Sequence, residues 1–203
     1  MRVTRCEPAT RLALGAAFRF GLAIVDDLQV VSMPKVRVGI WSNETTFNAA
    51  MLAATGTIYV NVGGYILGAA GFRLLMIGNP AENAEHEFVH VVTLNVNRSF
   101  SNNPRWLWEA VAVYEAGEFF EPSSLSYMSP DNFPTLAQLD VDYDQGYWVY
   151  QVGHVLIEYI VETWGMDTVI ALIAANGDIQ GVLGITVAEF EQDWHAWLSR
   201  EYF

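Results

Sequence analysis

The chain has 203 residues, 52% of them hydrophobic and 16% charged, which is ample apolar material for a packed core and excludes a disordered chain. Ten Lys and Arg stand against 23 Asp and Glu, a net charge of −13 that repels phosphate backbones and anionic lipid, so nucleic acid is excluded as the expected partner. A lone cysteine, Cys6, excludes an internal disulfide framework and a cysteine-rich zinc knuckle, and is expected to be inert.

In chain order, Arg2 and Arg5 precede the apolar stretch Leu12 to Phe18, but Arg19 interrupts it and no small-residue cleavage site follows. A structural helix from about Ala9 to Leu28 is expected there rather than a signal peptide, with Leu12, Ala16, Phe20 and Ile24 on one face. After Pro34, Val36 to Ile40 alternates like a half-buried strand, and Thr45 to Ala54 reads as a short helix ending before Gly56. Two further strands are expected at Thr57 to Val62 and Phe72 to Ile77, separated by a glycine-rich stretch whose backbone could approach another chain closely. The apolar run from Thr57 to Gly71 is broken by Asn61 and by glycines, so no membrane span is expected.

From Asn79 onward the pattern turns helical. Asn79-Pro80-Ala81-Glu82 supplies a cap, a proline at the first helical position and a Glu three residues after the cap. Asn103-Pro104 repeats that start signal before a helix stopping at Gly117. The stretch from Glu118 to Tyr143 reads as a wall or lid with a short helix around Leu136 to Leu139, and a long helix is expected from Gln145 to Trp164, closed by Gly165. Thr186 to Glu189 is a capping box opening a last helix that buries Phe190, Trp194, Trp197 and Leu198. The expectation is a single α+β domain over residues 1–203, with a helix-and-sheet part over 1–78 and a helical part over 79–203.

His86-Glu87-Phe88-Val89-His90 is an H-E-x-x-H sequence lying inside the helix opened by Asn79. Residues four apart return to one helix face, so both imidazoles can bind one Zn²⁺ while Glu87, beside them, serves as general base toward water. A catalytic zinc needs a third protein ligand and an open position. Glu109, in the next helix with 18 residues between it and His90, can close a His₂Glu set.

This H-E-x-x-H, the 18-residue gap and the following Glu resemble the gluzincin metallopeptidases of the peptidase MA-like group. The likeness extends over Pro104 to Tyr114, over the Tyr-led helix from Tyr150 to Gly165, and over the Gly184 to Trp194 segment. It implies a thermolysin-like zincin core with a small, mostly antiparallel N-terminal sheet and a helical C-terminal half. It further implies Zn²⁺ on His86, His90 and Glu109, Glu87 as catalytic base, and Tyr150 steadying the oxyanion, although Tyr147 lies nearby. In the resembling peptidases an exposed strand just before the zinc helix pairs with extended substrate, which makes Phe72 to Ile77 the candidate here, the alternative being that it is an ordinary central strand. The family's usual glycine after the third ligand is replaced by Ala110, no Gly-x-Met-x-Asn run precedes His86, and Val113 stands four residues after Glu109.

Two classes of function follow. One is a zinc metallopeptidase that hydrolyses a peptide or protein substrate with metal-activated water. The other is a non-catalytic, zinc-stabilised peptide- or protein-binding module on the same fold. Glu87 discriminates them, because a structural zinc site has four protein ligands and no use for a carboxylate beside it. His154 is read as a packing histidine one turn beyond Tyr150, His195 as a surface residue, and the tryptophans as core and cleft-wall material.

Overall fold

The computed structural model describes residues 21–59, 62–141 and 148–203. The chain divides into two compact units, Met1–Arg98 and Ser99–Phe203. Architecture is α+β, mostly helical with a small sheet of three strands among the described residues.

In the first unit, α1 (residues 21–27) is the described part of the first expected helix, and Ile24 and Leu28 are buried there. Leu12, Ala16, Phe20 and Cys6 lie outside the described residues. Strand β1 (Arg37–Trp41) leads to α2 (Glu44–Thr55). Asn43 caps α2 by accepting from the Thr46 amide at 3.0 Å, and Gly56 ends it at φ +78°, in the left-handed region that glycine enters without steric cost. Strands β2 (Gly64–Ile66) and β3 (Gly71–Leu75) complete the sheet in the order β1-β3-β2.

Three expectations need correction here. The sheet is mixed: β1 runs parallel to β3 from Arg37↔Gly71 to Trp41↔Leu75, and only β2 is antiparallel to it. With α2 and β2 both intervening, the chain has length enough to return β3 in the direction of β1. Second, of the strand expected at Thr57 to Val62, residues 60 and 61 lie outside the described residues and the others form no strand; β2 begins in the glycine stretch, at Gly64. Ile58 and Tyr59 are 44% and 54% exposed, so their apolar character serves no sheet core. Third, among the described residues β3 is the central strand, so Phe72 to Ile77 offers no open edge there, and β2 and β1 are the edges.

Helix α3 (Pro80–Val96) follows β3 after four residues. Alternation along β3 sorts its side chains: Phe72 and Leu74 pack with Ala84 and Val91 of α3, whereas Leu75, together with Tyr65 of β2, packs with Phe47 and Met51 of α2. The sheet is thus sandwiched between α2 and α3, and α3 is held along its length rather than at one end.

The second unit is helical: α4 (Arg105–Glu115), α5 (Leu136–Leu139), α6 (Val149–Trp164), α7 (Met166–Ala174), α8 (Ile179–Leu183) and α9 (Val187–Tyr202). Gly117 at φ +69° and Gly165 at φ +87° mark the stops expected for α4 and α6. Residues 142–147, including the expected start of α6 and Tyr147, lie outside the described residues. Thr186 and Glu189 form the expected capping box, Thr186 N donating to Glu189 Oε2 at 2.8 Å and Glu189 N to Thr186 Oγ1 at 3.2 Å. Phe190, Trp194, Trp197 and Leu198 are buried as expected. His195 corrects the surface reading: half-buried, it lies against Phe133 and Trp194 with Nε2 2.9 Å from the Pro134 carbonyl oxygen. Among the described residues no helix is long and apolar enough to cross a membrane.

Candidate metal centre

Asn79 caps α3 and Pro80 occupies its first turn, as the sequence predicts; the Asn79 side-chain amide also donates to Glu82 Oε2 at 2.6 Å. At the far end of the helix, Asn95 donates both to the Val91 carbonyl at 2.8 Å and to the Ala69 carbonyl at 2.9 Å, tying α3 to the turn before β3. Helix position is therefore set at both ends, and with it the placement of His86, Glu87 and His90.

His86 and His90 sit one turn apart with ring centroids 4.8 Å apart and planes at 86°. His90 is 5% exposed and His86 half-buried. Glu109 lies near the middle of α4 and is 7% exposed, a burial that a carboxylate tolerates only when it is compensated. His86, His90 and Glu109 each offer one ligand atom, and these atoms lie within 4.8 Å of one another, a group that could hold a metal ion. Two imidazole nitrogens and a carboxylate oxygen are a donor set that zinc accepts.

Glu87 belongs to α3 but not to that group. Its side chain lies against the backbone of β2: a Cβ built on Gly64 would stand 2.6 Å from Glu87 Cγ and 2.8 Å from its Oε1. One turn earlier, Asn83 occupies the space that a Cβ at Gly63 would need. The close backbone approach expected of the glycine stretch is thus made to α3, which is also why glycines, poor strand formers, make up this end of β2.

Helix α4 starts differently from its prediction. Pro104 rather than Asn103 occupies the cap position, and no side chain caps it locally. Asp140 does so from a distance, accepting from the Trp106 amide at 3.2 Å, where a negative charge also suits the helix dipole. Nothing in the local sequence around Pro104 signals a partner 34 residues away.

Tyr150 stands half-buried in the first turn of α6. Its neighbour Gln151 accepts from the Tyr127 hydroxyl at 2.8 Å, which anchors the 118–141 segment to α6. His154 packs against the rings of Tyr114 and Phe119, with centroids 5.1 and 5.3 Å away. Burial pushes its imidazole below the ordinary value near 6.5, opposed by the Glu158 carboxylate one turn on. Burial likewise pushes the Tyr159 hydroxyl up to about 12, with Asp193 adding to the shift. No family model matches the chain, and neither a curated protein nor a solved structure matches it.

Proposed function

We propose that the chain is a zinc-dependent metallopeptidase of the gluzincin type, with a thermolysin-like core in which His86, His90 and Glu109 hold the ion. The observation that carries this reading is a three-ligand group within 4.8 Å, with a further carboxylate, Glu87, on the helix that supplies both imidazoles. Three protein ligands leave a coordination position over, the arrangement of catalytic rather than structural zinc. When bound, zinc supplies Lewis acidity, lowering the pKa of water toward neutrality and polarising a carbonyl.

The remaining chemistry falls to the chain's own side chains. Glu87 takes a proton from the attacking water and returns it to the leaving amine nitrogen, a task for a carboxylate near the metal but not bound to it. Tyr150 donates its phenolic hydrogen bond to the substrate carbonyl oxygen as negative charge builds there.

Backbone pairing orients the substrate. Leu75 N donates to Gly63 O at 2.8 Å and Leu67 N to Gly71 O at 2.6 Å. These bonds bracket β2, so residues 63, 65 and 67 face β3 while the amides and carbonyls of Gly64 and Ile66 face the outer edge. An extended peptide adding to that edge would lie beside Glu87, which packs on Gly64.

Zinc analysis of dialysed protein together with digestion of a mixed peptide library tests the reading. The expected result is about one zinc per chain in both wild type and Glu87→Gln, with cleavage by the wild type alone, because the amide keeps the volume but cannot accept the proton. Peptide bound by the zinc protein and left uncut would identify a binding module instead, and equal cleavage by both proteins would remove Glu87 from the role of base.

A further inference from the structure

Gly64 has no reason to be glycine in its own backbone. Its φ lies outside the left-handed region, so any L-residue could adopt its conformation. It sits in a ladder position opposite Leu74, where a glycine weakens a strand by offering no side chain to pack. What demands glycine is the space. The three nearest heavy atoms to a Cβ at this position all belong to Glu87: Cγ at 2.6 Å, Oε1 at 2.8 Å and Cδ at 3.0 Å.

The neighbouring glycine supplies the contrast. At Gly63 the obstruction is the terminal amide of Asn83, the far end of a side chain that can swing aside. At Gly64 the closest atom is the mid-chain Cγ, so relief requires a new Glu87 rotamer, and that moves the whole carboxylate. We propose that Gly64 is a positioning residue for Glu87: the bare Cα of the edge strand selects the side-chain conformation in which the carboxylate works. This rests on the peptidase reading for its catalytic consequence, though not for the contact itself.

Two measurements on the full zinc-loaded chain test it. In peptide cleavage, Gly64→Ala should lower kcat about 100-fold, the scale on which a displacement of roughly 1 Å acts, with KM within about threefold of wild type and zinc content unchanged. Gly63→Ala should keep kcat within about threefold. A Gly64→Ala protein with wild-type kcat, or one that loses zinc in step with activity, would overturn the proposal.

The second measurement is a stability cycle that needs no turnover. Gly64→Ala should lower the urea midpoint in the wild-type background, where the methyl meets Glu87. In a Glu87→Ala background the same change should leave the midpoint unchanged or raise it, since Ala costs less chain entropy than Gly when the space is open. Equal losses in both backgrounds would show that the methyl clashes elsewhere and would overturn the positioning role. A wild-type chain without any turnover would reject the peptidase reading alone, while the cycle would still decide the contact.

Discussion

Gly153 on α6 faces Ala110 on α4 so closely that a Cβ at 153 would stand 2.7 Å from the Ala110 Cα and 3.1 Å from its Cβ. Ala110 follows Glu109, and both are buried. Glycine at 153 therefore lets α6 pass close over the Ala110 backbone, its Cα first and its methyl second. Gly153→Ala should destabilise the protein by about 1–3 kcal/mol, the usual penalty for overpacking. Adding Ala110→Gly should recover little of it, because the nearer obstruction is the Ala110 Cα. Urea midpoints of the single and double variants check this; full recovery in the double variant would place the clash on the methyl instead.

Glu109→Gln preserves volume while removing the charge and basicity of the side chain proposed as third ligand. Zinc affinity should fall by more than the roughly 10- to 100-fold typical of losing a residue that merely supports a ligand, with helical content unchanged. Competition against a chromophoric chelator measures the affinity, and circular dichroism the helix. Wild-type affinity in this variant would dismiss Glu109 from the ligand set.

His154 links stability to pH. Burial lowers its pKa in the folded chain, so the fold favours the neutral ring. That stabilisation is fully present above the unfolded value near 6.5 and is lost as pH falls through it toward the folded pKa. The wild type should therefore lose more stability than His154→Phe between about pH 7 and pH 5. Parallel urea denaturations across that range decide it, and identical slopes for the two proteins would contradict the linkage.

Strand addition at β2 has its own signature. N-methylation of a substrate amide that pairs with Gly64 or Ile66 should weaken binding sharply, whereas a methyl on an amide turned away from β2 should do little. Uniform losses along the peptide, or none, would assign binding to side-chain pockets.

The pairing of the two histidines was legible in sequence because its signals are local. Four-residue spacing puts His86 and His90 on one face of α3, and Asn79-Pro80 fixes where that helix begins. The α9 face was legible for the same reason, through the Thr186 and Glu189 box and the spacing of Phe190, Trp194 and Trp197. What escaped depends on partners distant in the chain. The β2 strand begins at Gly64, just after Gly63, glycines that α3 requires, and the α4 cap comes from Asp140. His195 gained its partner, Pro134, from a segment 61 residues earlier. Helices α7 and α8 carry no comparable signal, because Gly165, Gly177 and Gly184 punctuate them too closely for a periodic pattern to build.

The four-residue link from the central strand β3 to the capped start of α3 gives the histidine pair an angular bearing. An α-helix turns about 100° per residue. One residue inserted between Asn79 and His86 would therefore swing both imidazoles a quarter-turn or more off their heading, although no ligand had been changed. Seven inserted residues would nearly restore the heading but slide the pair about 10 Å along the axis. A single-residue insertion there therefore sets two headings against each other, that of the helix start fixed by Asn79 and that of Val91 and Asn95 fixed by the sheet, and should weaken metal binding although every candidate ligand is kept.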